Sequence, residues 1–270
     1  MAARIAEVRQ ERFWEEISRK AREGRIPVEA MVELTYGCNL RCVHCYNPTH
    51  QADGELDTAA FRRLIDELAE VGCLHIAFTG GEAMTRRDCL EIVSHAKAKG
   101  FQVSLLTNAT LMTPEAADRI QALAPRRVEV SIYGATPATY ERVTRVPGSY
   151  ARFVRGVHLL RQRQVPLLLK MPVMTLNTGE VAEAQALAAS WGVEFVFSTE
   201  IFPRVDGSLE PLRYRLVPEQ VVQVHEGLDS SARWRAEGGG EQQEQCGGTA
   251  SALFTCKCGA TSLTVTPYGQ

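Results

Sequence analysis

Cys38-Asn39-Leu40-Arg41-Cys42-Val43-His44-Cys45 sets three cysteines at a C-x3-C-x2-C spacing, with Tyr46 directly after the last. The run before it, Met31-Val32-Glu33-Leu34-Thr35, reads as a strand, so the cysteines occupy the loop at a strand's end. Thiolates gathered this closely are soft ligands that favour zinc or an iron–sulfur cluster over hard cations. A structural zinc site is a closed tetrahedron, whereas a [4Fe–4S] cluster held by three cysteines keeps one iron open to a small molecule. His44 could in principle complete a zinc site, but it stands between two ligands in a tight loop. Scattered cysteines are usually core residues. Three at this spacing read as ligands of a cluster.

Outward from this loop, strand and helix signals alternate. Ile5 to Arg22 has the spacing of an amphipathic helix, with Ile5, Val8, Phe13 and Ile17 near one face, read as packed on the rim of the main domain in preference to a partner-binding element. Gly24 and Pro27 end it. After the cysteines, Asp57 and Thr58 offer N-caps to a helix with apolar positions Phe61, Leu64, Ile65, Leu68 and Val71, stopped by Gly72. Strands are expected over Cys73–Thr79, Phe101–Thr107, Val128–Tyr133, Val165–Met174 and Val193–Phe197. Between them, helices are expected from Asp88, from Thr113-Pro114, from Thr136-Pro137, over Tyr150–Arg163 and from Thr178. Six strands separated by helices are the pattern of parallel βα units with right-handed crossovers. Periodicity gives an α/β domain and leaves open whether the sheet closes. The rhythm stops after about Pro203, and AEGGGEQQEQ from Ala236 to Gln245 reads as a polar linker.

Composition narrows the function. At 270 residues with 45% hydrophobic and 23% charged residues, the chain can build one substantial core. A formal net charge of −2 gives no footprint for nucleic acid. Eight cysteines are too sparse for a disulfide scaffold, and their clustering points to metal in a reducing compartment. The N-terminus is charged throughout and no run approaches a membrane span, so a cytoplasmic protein without a membrane partner is expected. Cys73 and Cys89, in an apolar strand and on a helix, read as core cysteines.

Gly80-Gly81-Glu82 follows the second strand directly. Glycines let backbone approach a ligand closely, and a carboxylate beside them can receive an ammonium group. The cysteine loop and this turn, one strand apart, resemble the radical S-adenosylmethionine superfamily. That resemblance implies an incomplete TIM-like (β/α)6 barrel over residues 31–203, with the cluster at the C-terminal mouth of the strands. It implies that Cys38, Cys42 and Cys45 hold a [4Fe–4S] cluster whose open iron binds S-adenosylmethionine. Gly80, Gly81 and Glu82 would then hold the amino group of that ligand, with Glu82 making the contact. Asn108, in LLTNAT, matches a strand-end element near the ligand, although Ala109 stands where the family has glycine. Ser131, in VSIYG, is placed to bind ribose or carboxylate, with Tyr133 where the family often has aspartate. Arg145, in ERVTRVPGSY, matches an arginine directed at the carboxylate, for which a guanidinium fork is suited. Lys170 either points into the barrel mouth or extends outward at an edge, and Val173 and Phe197 are candidates for an adenine wall or for core.

The chemistry implied is one-electron reduction of the bound sulfonium, release of methionine and hydrogen abstraction from a substrate by a 5′-deoxyadenosyl radical. An electron donor such as flavodoxin or ferredoxin is implied with it. Within the superfamily the resemblance is to enzymes with a SPASM-type extension, notably peptide maturases, over roughly Pro27 to Gln270. The substrate is then a ribosomally made peptide. A tetrapyrrole or other small metabolite is the second reading, and a non-catalytic iron–sulfur or zinc protein the third. Residues 1–30 are expected as an N-terminal helical segment, 204–245 as a helical and linker segment, and 246–270 as the start of the extension. Cys246, Cys256 and Cys258 are possible ligands of an auxiliary cluster. Cys258, ten residues and then Gly269 match the opening of a family motif whose next cysteine would fall just past Gln270, so a truncated form is expected. Leu263 and Val265 read as the first arm of a hairpin whose second arm is missing, with residues beyond about Ala236 poorly packed.

Overall fold

Strands β1 (Glu29–Glu33), β2 (His75–Thr79), β3 (Gln102–Thr107), β4 (Arg127–Ser131), β5 (Leu167–Pro172), β6 (Glu194–Ser198) and β7 (Ser262–Val265) form one sheet. Their order is β6-β5-β4-β3-β2-β1-β7, and every neighbouring pair is parallel. The computed structural model describes residues 10–47, 49–227 and 259–270, with the backbone alone for 10–15. The first six strands lie in chain order, so right-handed crossovers set all their connecting helices on one face. Those helices are α2 (Thr58–Glu70), α3 (Cys89–Ala98), α4 (Pro114–Leu123), α5 (Pro137–Thr144), α6 (Ser149–Gln162) and α7 (Val181–Ser190). Helix α1 (Gln10–Gly24) precedes the sheet, and α8 (Pro218–Gly227) follows β6.

Period-two alternation divides the strands between two environments. Val32, Ile76, Val103, Val128, Val130 and Leu169 are fully buried beneath the helices. Met31, on the opposite face, is 39% exposed, so that inner face stays open. The caps follow the sequence. Asp57 accepts the Ala60 N–H at 2.7 Å, Thr113 that of Ala116 at 3.1 Å and Thr136 that of Thr139 at 3.3 Å, the last two ahead of a proline. Cys73 and Cys89 are buried in the core. Helix α7 starts one short turn later than Thr178, after a 3₁₀ turn over Thr178–Glu180.

The C-terminal run corrects one expectation. Leu263 and Val265 already lie in the sheet, because β7 pairs with the free outer edge of β1, Met31 opposite Thr264. An open edge offers unpaired N–H and C=O groups, and a strand-forming run is satisfied there as well as in a hairpin. Pro267 accepts the Leu56 N–H at 2.8 Å, and the Tyr268 ring stands edge-on to Tyr36 at 5.6 Å. Residues 259–270 are therefore packed, and among the described residues the sheet has seven strands. It remains open between β6 and β7, a partial barrel. Ile5, Val8, the linker at Ala236–Gln245 and Cys246, Cys256 and Cys258 lie outside the described residues. No helix among the described residues is long and apolar enough to cross a membrane.

Candidate functional site

The site is assembled where β1 and β2 end. Leu34 donates its N–H to Thr79 O at 2.9 Å, Gly81 to Thr35 O at 2.6 Å and Glu82 to Gly37 O at 2.9 Å. The turn after β2 thus lies against the backbone that enters the cysteine loop. A Cβ on Gly80 would stand 2.3 Å from the Thr35 carbonyl oxygen, and one on Gly81 2.5 Å from that of Gly37. Gly80 also adopts φ +136°, open to glycine alone in practice. Both glycines are required by the chain's own backbone, before any ligand is considered.

Glu82 is 1% exposed. Its Oε1 accepts the Thr107 hydroxyl at 2.7 Å and the Met84 N–H at 3.1 Å, and its Oε2 accepts the Asn108 N–H at 2.6 Å. Burial raises its carboxyl above the ordinary value, and these bonds oppose the rise. Asn108 carries the link onward. Its Nδ2 donates to Asn39 Oδ1 at 3.0 Å, and Asn39 Nδ2 donates to the Thr110 hydroxyl at 2.7 Å. Ala109 takes φ 58°, the left-handed conformation a glycine would accept more readily.

The cysteine loop also rests on a helix end. Arg41 and Val43 donate their N–H groups to Thr144 O and Val143 O, both at 3.0 Å. The last carbonyls of α5 have no partner within the helix, and the loop supplies one. The three thiols are half-buried. Burial pushes Cys38 up to about 11, and it raises Cys42 and Cys45 as well. Repulsion by Cys45 and Cys38 adds to the rise at Cys42. The Leu40 N–H lies 3.4 Å from Cys38 Sγ, the Asn47 backbone is hydrogen-bonded to Cys45, and the Tyr133 phenol to Cys42. Among the described residues, no three His, Cys, Asp or Glu side chains converge as ligands of a single metal ion. A cubane does not require that, since each thiolate binds a different iron. An all-sulfur set with N–H and O–H donors aimed at it fits such a cluster. The His44 ring lies tilted against Tyr133 at 5.3 Å, with its pKa lowered to about 4 by burial.

Other residues expected at the site fall differently. Ser131 is half-buried and hydrogen-bonded to Tyr133. Arg145 closes α5 in a left-handed conformation and is exposed, with no side-chain hydrogen bond or ion pair among the described residues. Val173 is fully buried, Phe197 packs on His225 at 4.9 Å, and Lys170 lies on the inner face. Several supports carry no sequence signal. Glu55 accepts from the Thr35 hydroxyl at 3.0 Å and from the Tyr36 N–H, and Glu33 accepts from the Tyr46 hydroxyl. Arg86 donates to Leu34 O at 3.1 Å and Leu56 O at 3.0 Å while gripping Asp88. The segment after β6 crosses the loop, with the Val205 N–H on Tyr46 O at 2.9 Å.

Residues 32–188, from β1 to α7, match the Radical SAM superfamily. The chain belongs to that superfamily. This radical SAM chain is 36% identical over 162 residues to an AdoMet-dependent heme synthase of Methanosarcina barkeri, covering 59% of this chain and 46% of that protein. It is 34% identical over 170 residues to a PqqA peptide cyclase of Xanthomonas campestris pv. campestris, covering 62% and 45%. The match thus spans about half the length of these curated relatives. Among solved structures, Streptococcus suis SuiB bound to the precursor peptide SuiA superposes with a TM-score of 0.71 at 11% identity, over 99% of this chain and 66% of SuiB. At that identity the likeness speaks for the radical SAM fold alone.

Proposed function

We propose that this chain is a radical SAM enzyme that acts on a peptide. The observation that carries the reading is the backbone stitching of the cysteine loop to the Gly80-Gly81-Glu82 turn, at contacts that admit no Cβ. Cys38, Cys42 and Cys45 would hold a [4Fe–4S] cluster, which when bound and reduced supplies the electron for cleavage of S-adenosylmethionine. Gly80, Gly81 and Glu82 receive the amino group of that ligand. With three accepting positions of its carboxylate already taken, Glu82 acts chiefly by holding the turn in place. Asn108 fixes the loop through Asn39, Ser131 faces the ligand from β4, and Arg145 stands ready for a carboxylate. The loop is seated on α5 and crossed by the segment after β6, which covers it in part. An external electron donor such as flavodoxin or ferredoxin belongs to this reading, and so does an auxiliary cluster on Cys246, Cys256 and Cys258.

The peptide substrate is supported by similarity to PqqA peptide cyclases and by the SuiB-like fold. Similarity to the heme synthase supports a second reading, the same chemistry on a tetrapyrrole. The test is anaerobic incubation of reconstituted, reduced protein with S-adenosylmethionine. Formation of 5′-deoxyadenosine above a Cys42→Ala control is expected, and no excess over that control overturns the enzyme reading.

A further inference from the structure

The inner face of the sheet carries charge where a closed barrel packs apolar side chains. Strand register sets Arg127, Glu129 and Ser131 of β4 on that face with Lys170 of β5, Lys170 opposite Ser131. Glu129 is 7% exposed, and its two oxygens are divided between two cations. Arg127 Nε donates to Oε1 at 2.7 Å, and Lys170 Nζ donates to Oε2 at 2.9 Å. One buried carboxylate thus faces two positive charges. Among the described residues neither cation has a second acidic partner within ion-pair distance.

The geometry is that of a presented cation. The Lys170 side chain is 47% exposed, and one of its three ammonium donors is used on Glu129. The buried carboxylate fixes where the ammonium stands, on the open side of the sheet. Glu129 already has Arg127 as a counter-ion, so a second, half-exposed cation adds little to stability. The position is close to the reacting end. Ser131, opposite Lys170, is hydrogen-bonded to Tyr133, which is hydrogen-bonded to Cys42.

We propose that Lys170, oriented by Glu129 and backed by Arg127, receives the carboxylate of an acidic residue in the peptide substrate. A second carboxylate brings the group to two cations and two anions, and its oxygens accept the donors Glu129 leaves free. This rests on the peptide reading above. The probes are two fluorescein-labelled peptides, Ala-Glu-Ala-Glu-Ala and Ala-Gln-Ala-Gln-Ala, titrated by anisotropy against the reconstituted full chain with S-adenosylmethionine present. The glutamate peptide is expected to bind about fivefold tighter. Lys170→Met should abolish that preference and Lys170→Arg should keep it. Equal binding of the two peptides by the native chain, or a preference that survives Lys170→Met, overturns the site. Formation of 5′-deoxyadenosine without peptide, on the same preparation, reports on the radical reading separately. Protein that cleaves S-adenosylmethionine yet treats the peptides alike therefore overturns this site and leaves that reading standing.

Discussion

At the scale of single residues, the site depends on buried acceptors with no slack. Glu82 accepts from Asn108, Thr107 and Met84. Glu82→Gln turns one oxygen into a donor, which then faces another donor whichever way the amide is set. A loss of about 1–3 kcal/mol is expected, read from the urea midpoint, together with weaker S-adenosylmethionine binding. A native midpoint in that variant would mean that these bonds do not hold the turn. Asp88 gives a prediction in pH. Arg86 donates to both of its oxygens, at 2.9 and 2.7 Å, and holds its carboxyl below the ordinary 3.8. The unfolded chain therefore takes up this proton first, and the stability Asp88 contributes is present above about pH 3.8 and lost as pH falls through the lower folded value. Asp88→Asn should flatten the acid limb of the stability curve in that window. An unchanged limb would remove the pair from the account.

At the scale of elements, α6 carries a glycine that helix propensity alone would replace. Gly156→Ala gains about 1 kcal/mol of propensity, but the new Cβ would stand 2.0 Å from the Ala109 carbonyl oxygen, beside the end of β3. A net loss of about 2 kcal/mol is expected by thermal unfolding, and a gain would show that α6 does not press on this turn. The elements themselves were legible in the sequence. Asp57, Thr113 and Thr136 cap as their residue types require, and each of the six predicted strands is present within a few residues of its expected ends. What held the elements together was not legible. Arg86 reaches Leu34 and Leu56 across 52 and 30 residues of chain, and Arg41 and Val43 find the end of α5 about a hundred residues on. Such contacts depend on tertiary placement and leave no local period. The glycine pair was legible as a close approach, but its partner is the chain's own backbone at Thr35 and Gly37.

At the scale of the whole molecule, β7 seals the outer edge of β1, directly behind the cysteine loop. Amide hydrogens of Leu263–Val265 that bond across to β1 should exchange with solvent slowly, as in the interior strands, and free exchange would return this run to the unpaired arm its sequence suggested. The pairing with β1 was not legible for a physical reason, because a strand-forming run near a turn signal fits a hairpin or an existing edge equally well. Everything the fold gathers bears on one claim, that Cys38, Cys42 and Cys45 hold a cluster with one iron open to S-adenosylmethionine. The most direct measurement is the electron paramagnetic resonance spectrum of the reduced, reconstituted protein with and without S-adenosylmethionine. The account predicts a four-iron signal that is lost on replacing any of the three cysteines by alanine and that shifts when S-adenosylmethionine is added. A cluster signal indifferent to S-adenosylmethionine, or one that survives in all three variants, would contradict it.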